Sequence, residues 1–253
     1  MMTLLQQKLF SIKVFNLEFS PRVLPTLAAI IVFPILLSLG FWQLHRGQTK
    51  QALESQFALS ANSAPLNYQK AVSNLQKYQF HNIKVSGDYL NDKQLLLENR
   101  FHQHQLGYEV ITPLKLPNND VVLVNRGWIP GLTNNVSPTL SPVKGNLTIT
   151  GRIIIPQQKI FKLGSLSYEN QAWPRLIPNI SWETIKQAMP NTKLSPFIIQ
   201  LDPKSKNGFT REWKPVTLSP QKHFGYAVQW FAMAVTVLII FITVNTRRRT
   251  SDE

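Results

Sequence analysis

The sequence predicts an α+β membrane protein in which two transmembrane helices near the termini flank one β-rich, mainly antiparallel extracytoplasmic domain. Three observations carry that prediction. Val23 to Trp42 and Tyr226 to Val244 are uncharged apolar runs, long enough at about 1.5 Å per residue to cross a hydrocarbon core of roughly 30 Å. Between them, short apolar stretches are separated by hairpin-length turns, the pattern of an antiparallel sheet. Arg247-Arg248-Arg249 directly follows the second run, where a basic cluster marks the cytoplasmic side of a membrane helix.

Composition narrows the chemistry. The 253 residues include no cysteine, which removes disulfide frameworks, thiolate zinc, iron–sulfur clusters and thiol redox chemistry. Four Met and five His remain as soft ligands, too few for a Met-rich copper chaperone. The formal charge is +14, compatible with nucleic acid, anionic lipid or an acidic protein as partner. The basic residues are scattered, however, and most lie in the segment expected outside the cytoplasm, so no nucleic-acid partner is expected.

The first run carries only Thr26 and Ser38 as polar side chains, and the second only Gln229, Thr236 and Thr243. A core helix of that length normally shows a polar stripe. Pro25 and Pro34 are compatible with a membrane helix. Ser38-Leu39-Gly40 resembles a small-x-small cleavage site, so a signal peptide is the rival reading. The run is longer than a usual signal core, which favours a retained span. Lys8, Lys13 and Arg22 precede it with only Glu18 opposing. Both tails, 1–22 and 245–253, are therefore expected in the cytoplasm or matrix. The expected organisation is helix 23–42, a periplasmic or intermembrane-space domain 43–225, and helix 226–244, in a bacterial inner or mitochondrial inner membrane. Phe41 and Trp42 on one helix, and Phe224, Tyr226 and Trp230 on the other, suit its outer interface.

Residues 43 to about 65 hold good helix formers and no proline before Pro65, so the first helix is expected to continue. Strands are expected at Tyr78 to Tyr89, Gln94 to Leu97, Tyr108 to Leu116, Val121 to Trp128, Leu147 to Ile155 and Phe197 to Leu201. Pro117-Asn118-Asn119-Asp120 is a turn that makes a hairpin of the third and fourth. Gly151 suggests a bulge. Leu132 to Asn146, rich in proline and glycine, reads as a loop. Ser181 to Met189 reads as a short helix with Ser181 as N-cap.

Few residues suggest chemistry. His223, Tyr226, Ala227 and Trp230 fall on one helical face. An imidazole beside an aromatic ledge suits a metalloporphyrin iron, and it equally suits an interfacial anchor. Gln43 and Arg46 share a face; Arg46 suits a carboxylate or a lipid phosphate, or simple snorkelling. Arg126, in Asn125-Arg126-Gly127-Trp128 at a strand end, suits a propionate, a phosphate or a structural contact. His102 and His104 share one face if Phe101 to Gln105 is extended, but no third ligand is spaced to complete a metal site. Gly164-Ser165-Leu166 lacks the glycine pattern of a nucleophile elbow. No H-E-x-x-H, phosphate loop or acid–base pair is evident.

Taken in order, GFWQLHR from Gly40, ENR at Glu98 to Arg100, GYEVITPL from Gly107, LVNRGWIP from Leu123 and HFGYAVQWFAMA from His223 resemble the surfeit locus protein 1 family, over about residues 24 to 244. The resemblance implies a non-catalytic assembly factor for cytochrome c oxidase, acting in maturation of its haem a-containing catalytic subunit. It implies His223 as ligand of the haem a iron, with Tyr226, Trp230 and Trp42 against the macrocycle and Arg46 or Arg126 at its propionates. Implied partners are the catalytic subunit, a haem a synthase and membrane lipid. A scaffold that holds oxidase subunits or a haem synthase without touching haem is the alternative, and a membrane-anchored periplasmic enzyme a more distant one. Trp173-Pro174-Arg175 is followed by Leu176 where the family pattern leads one to look for Asp, so the resemblance sets no residue-level expectation across 160–212.

Overall fold

The first apolar run does not end at its last aromatic residue. In the computed structural model, which describes residues 7–61, 63–131, 140–160, 168, 171–214 and 219–248, one helix continues from Val23 to Ala61, as its run of good formers predicts. In chain order the elements are β1 (Ile12–Val14), β2 (Leu17–Phe19), α1 (Val23–Ala61), α2 (Tyr68–Ser73), β3 (Asn82–Tyr89), β4 (Leu95–His102), β5 (Gln105–Lys115), β6 (Val121–Pro130), β7 (Leu147–Ile154), β8 (Arg175–Ile177), α3 (Trp182–Ala188), β9 (Leu194–Leu201), α4 (Pro220–Asn245) and β10 (Thr246–Arg248). The chain divides into two units, one made of both terminal regions up to Ser55 and from Val216, the other of Gln56–Pro215.

In the terminal unit, α1 and α4 are both long and apolar enough to cross a membrane, and only 6% and 11% of their most apolar stretches is buried by protein. Neither is a core helix of a water-soluble domain. They pack antiparallel through a seam of small residues and phenylalanines. A side chain at Gly40 would meet the Phe231 ring, and one at Gly47 the Phe224 ring, each at 2.5 Å. The two pairs are seven residues apart on both helices, so each phenylalanine seats over a glycine two turns from the next. Ala227 and Ala234 are buried in α4. Parts of both tails, for which the sequence set no element, form a three-stranded sheet in the order β1-β2-β10. Strands of three residues are too short for periodicity to register. Arg249 lies outside the described residues.

The Gln56–Pro215 unit is the β-rich domain. Its seven strands run in the order β3-β7-β9-β6-β5-β4-β8, and the end of β5 also pairs with β3 through Asp88–Lys115 and Tyr89–Leu114. That last pairing closes β3, β7, β9, β6 and β5 into a ring, a five-stranded barrel with β4 and β8 extending from it. Most pairings are antiparallel, as expected; β6–β9 and β4–β8 are parallel. Ile83, Val85, Leu114, Val122, Val124, Phe197 and Ile199 fill one core. Leu95, Leu97, Leu123 and Ile198 face a second, under Trp182 and Ile185 of α3 and Met189 just after it. β6 and β9 are thus covered on both faces. This explains why Val121 to Val124 and Phe197 to Ile199 are continuous apolar runs rather than alternating ones.

Several local expectations change. β3 begins at Asn82, after turns through the 74–80 stretch. β4 continues past Leu97 to His102 through a register shift at which Asn99 adopts φ 57°. Gln103 and His104 both have positive φ, 46° and 66°. They make the two-residue turn of the β4–β5 hairpin, so His102 and His104 do not share the face of an extended strand. Gly151 pairs without a bulge; its missing Cβ lets the Gln200 backbone and the Ile199 side chain approach closely. β8, α2 and the parallel pairings were not expected. Ser181 caps α3 as predicted, accepting a hydrogen bond from the Thr184 amide. Of the expected 132–146 loop, 132–139 lies outside the described residues, as do Gly164, Ser165 and Leu166; residues 140–146 form no helix or strand.

The predicted turn at 117–120 does more than reverse the chain. Asp120 accepts a hydrogen bond from Tyr68 Oη at 2.9 Å and lies 2.7 Å from Lys193 Nζ. Hydrogen bonding from Lys193, then from Tyr68, holds its carboxyl below the ordinary carboxylate range. A carboxyl lowered on folding stabilises the fold above its ordinary pKa and loses that contribution as pH falls through the lowered value. The melting difference between wild type and Asp120→Asn is therefore expected to be largest near neutrality and to vanish at strongly acid pH. With Lys193 76% exposed, it should stay below about 1 kcal/mol. A difference independent of pH would remove the carboxylate's charge as its cause.

Candidate functional site

In the terminal unit, the α1–α4 seam brings together two polar side chains. Gly40 and Gly47 bracket Gln43 on α1, and Phe224 follows His223 on α4, so the close seating of the phenylalanines sets the depth of both. His223 Nδ1 lies 2.8 Å from Gln43 Oε1, and both residues are half-buried. With the amide oxygen as acceptor, Nδ1 carries a proton, and in a neutral imidazole Nε2 then keeps its lone pair. A neutral imidazole oriented through its second nitrogen is the arrangement by which proteins hold metal-ligating histidines. The pair is 180 residues apart, so no local spacing reveals it. The sequence singled out Gln43 for its position relative to Arg46 and within the GFWQLHR stretch, not as a partner of His223.

The aromatic residues expected around His223 are present at the surface of this unit. Trp42 is 58% exposed and Tyr226 47%, and Trp230 is half-buried. Ala227, expected on the same face, is instead buried, so the helical face that carries His223 turns partly into the seam while Tyr226 points away from it. Arg46 is exposed and, among the described residues, has no ion pair or hydrogen bond from its side chain. The residues fit a planar, largely apolar ligand with one axial nitrogen and an available guanidinium. Among the described residues, no three His, Asp or Glu side chains cluster as a metal site.

Arg126 belongs to the β-rich unit and is 2% exposed. Its Nε donates to the Asn207 carbonyl at 2.8 Å, and its guanidinium lies 5.2 Å from the Tyr89 ring centre and 4.9 Å from that of Phe209. Burial, more than the neighbouring Arg211, lowers its pKa from the ordinary guanidinium value. Burial likewise pushes the Tyr89 hydroxyl up to about 12. Its neighbours bind the 207–211 segment to the end of β6. Phe209 N donates to the Arg126 carbonyl, Trp128 N donates to the Thr210 carbonyl, and Asn125 bridges the Glu109 carboxylate and the Gly127 amide. Arg126 also lines a cleft of about 550 Å³ with residues 140–144, Leu147 and Asn207 to Phe209. The Asn-Arg-Gly motif is thus the clasp of a strand exit, with its guanidinium spent largely on carbonyl and ring contacts.

Two apolar helices and a β-rich domain between them in sequence define the chain as a membrane protein that also carries a folded domain. The SURF1 family model matches residues 30–235. The chain therefore belongs to the SURF1 family. It is 26% identical to a SURF1-like protein of Rickettsia felis, over 85% of this chain and 94% of the relative. It is also 26% identical to one of Rickettsia conorii, over 88% and 91%, and 24% identical to one of Drosophila melanogaster, over 83% and 74%.

Proposed function

We propose that this protein is a non-catalytic assembly factor for cytochrome c oxidase, and that it presents haem a to the catalytic subunit at the outer interface of the membrane. Family membership supports the role in oxidase assembly. The observation that carries the finer reading is the His223–Gln43 hydrogen bond, which frees Nε2 as a ligand atom. Haem a, when bound, would supply an iron that an imidazole nitrogen can ligate. His223 holds that nitrogen, Gln43 fixes its tautomer and direction, and Trp42, Tyr226 and Trp230 offer apolar surface beside it. Arg46 is free to meet a propionate. Arg126 belongs to the other unit, its Nε is engaged by the Asn207 carbonyl, and this reading gives it no propionate. One imidazole at a partly wet surface suits a group that must be handed on.

In this reading both tails lie in the cytoplasm of a bacterium, the β-rich domain lies in the periplasm, and the partners are the catalytic subunit, a haem a synthase and lipid. The test is the optical spectrum of purified wild-type and His223→Ala proteins after co-expression with a haem a synthesis system. A haem a band in wild type, shifted or lost in the variant, is expected. An unchanged band in the variant removes His223 as ligand. No haem in either protein, with oxidase maturation still dependent on the chain, gives the scaffold role instead.

A further inference from the structure

The sheet built from the two ends of the chain is two-faced. Its register places Lys13, Glu18 and Arg247 in one cross-strand row. The rows on either side, Ile12–Phe19–Thr246 and Leu17–Arg248, point to the opposite face. One face is therefore charged and the other largely apolar, with Arg248 at its edge. The apolar face continues into the helices: Phe10 packs on Phe19, and Phe19 packs edge-on against Phe241 of α4. Asn245 joins the two helix ends, accepting from the Arg22 amide through its side chain and from the Ser20 amide through its carbonyl. The sheet is thus fixed to the ends of the two apolar helices by hydrogen bonds and ring contacts.

Much of the apolar surface is nevertheless uncovered. Phe10, Ile12 and Leu17 are each about half exposed. Phe15, at the tip of the β1–β2 turn, is 94% exposed and sits at φ 50°. A bulky residue in the left-handed region with its ring in water gains nothing from either condition. The charge is equally one-sided. Among the described residues of the two tails, Lys8, Lys13, Arg22, Arg247 and Arg248 stand against one acid, Glu18, which is already taken by Ser11 Oγ at 2.8 Å and Lys8 Nζ at 3.7 Å.

We propose that this sheet is a membrane-surface platform that binds the anionic headgroups of the bilayer its two helices cross. The inference rests on the reading of α1 and α4 as membrane spans. Apolar residues flanked by cations, held at the end of a membrane helix, match the two layers such a surface presents: acyl chains below and phosphate above. Phe15, Phe10 and Leu17 enter the headgroup boundary, while Lys13, Arg247 and the flanking cations meet lipid phosphates. The platform also holds the cytosolic ends of α1 and α4 together.

The chain has no cysteine, so Asn16→Cys places one environment-sensitive fluorophore beside Phe15. Full-length protein is placed in nanodiscs of phosphatidylcholine alone, or with about one-third phosphatidylglycerol. The expected result is a blue-shifted emission and severalfold weaker quenching by acrylamide in the anionic discs, reversed by high salt. Adding Lys8→Gln, Lys13→Gln, Arg247→Gln and Arg248→Gln should make the two compositions equal. Identical emission and quenching of the parent in both compositions overturns the proposal, as does a difference that survives both salt and charge removal. A label at Ile239→Cys, on the exposed face of α4, separates the two failures. If it is open to acrylamide in the discs, the membrane span itself is wrong; if it is shielded while the Asn16 label is indifferent to lipid charge, only the platform fails.

Discussion

Gly127→Val is expected to destabilise the β-rich unit by roughly 3 kcal/mol or more, among the largest effects of any single change in that unit. Gly127 sits at φ 111°, a conformation that a β-branched residue does not share. A Cβ there would also lie 2.5 Å from the Thr210 carbonyl oxygen, which is backbone and not free to swing away. Relief requires moving the 207–211 segment off the end of β6. That breaks the Trp128–Thr210 hydrogen bonds and removes the Asn207 carbonyl from Arg126. The guanidinium, buried among aromatic rings, then loses its closest acceptor, and an unpaired buried cation is costly in its own right. Denaturant unfolding of the full chain, followed by tryptophan fluorescence, measures the loss. Gly127→Ala should fall in the same direction by less. A Val variant as stable as wild type would show that the clasp relaxes without cost.

The same clasp shows where sequence reasoning stops. Gly127 was legible as a special strand exit because glycine there has a local meaning. The contact of Arg126 with Asn207 was not, since it joins residues 81 positions apart. The fold divides in the same way. The apolar runs, the hairpin turn at 117–120 and the Ser181 cap are local patterns and were all readable. β8 was not, because three residues added in parallel to β4 carry no periodicity. Nor was ring closure, which depends on two residue pairs at the ends of β3 and β5. Among the histidines, His102 and His104 could share a face only on an extended chain, and Gln103 and His104 turn instead. His223 was found by its place at the start of α4, and its partner was missed for want of any local link.

That missed partner sets the second large effect. On the proposed haem a role, Gln43→Leu is expected to weaken haem a binding about 10- to 100-fold while leaving the helices paired. The pairing depends on Gly40 and Gly47 beneath Phe231 and Phe224, and Gln43 contributes no ring contact to it. What Gln43 supplies is an acceptor 2.8 Å from Nδ1. Leucine leaves that N–H half-buried without its acceptor and lets the ring turn or change tautomer, so the lone pair no longer points in one direction. Gln43→Glu is the opposing control. A carboxylate draws the Nδ1 proton more strongly and makes Nε2 a better donor to iron, so bound haem should be retained with a lower reduction potential. The three proteins, titrated with haem a and followed by absorption and potentiometry, separate an orienting hydrogen bond from mere packing. If Gln43→Leu binds as wild type does and Gln43→Glu leaves the potential unchanged, Gln43 is a packing residue and the imidazole is oriented by something else. If both respond as expected, the glutamine is the reason that a histidine at the membrane surface holds one tautomer, and the close glycine–phenylalanine seam is the reason that the two can meet.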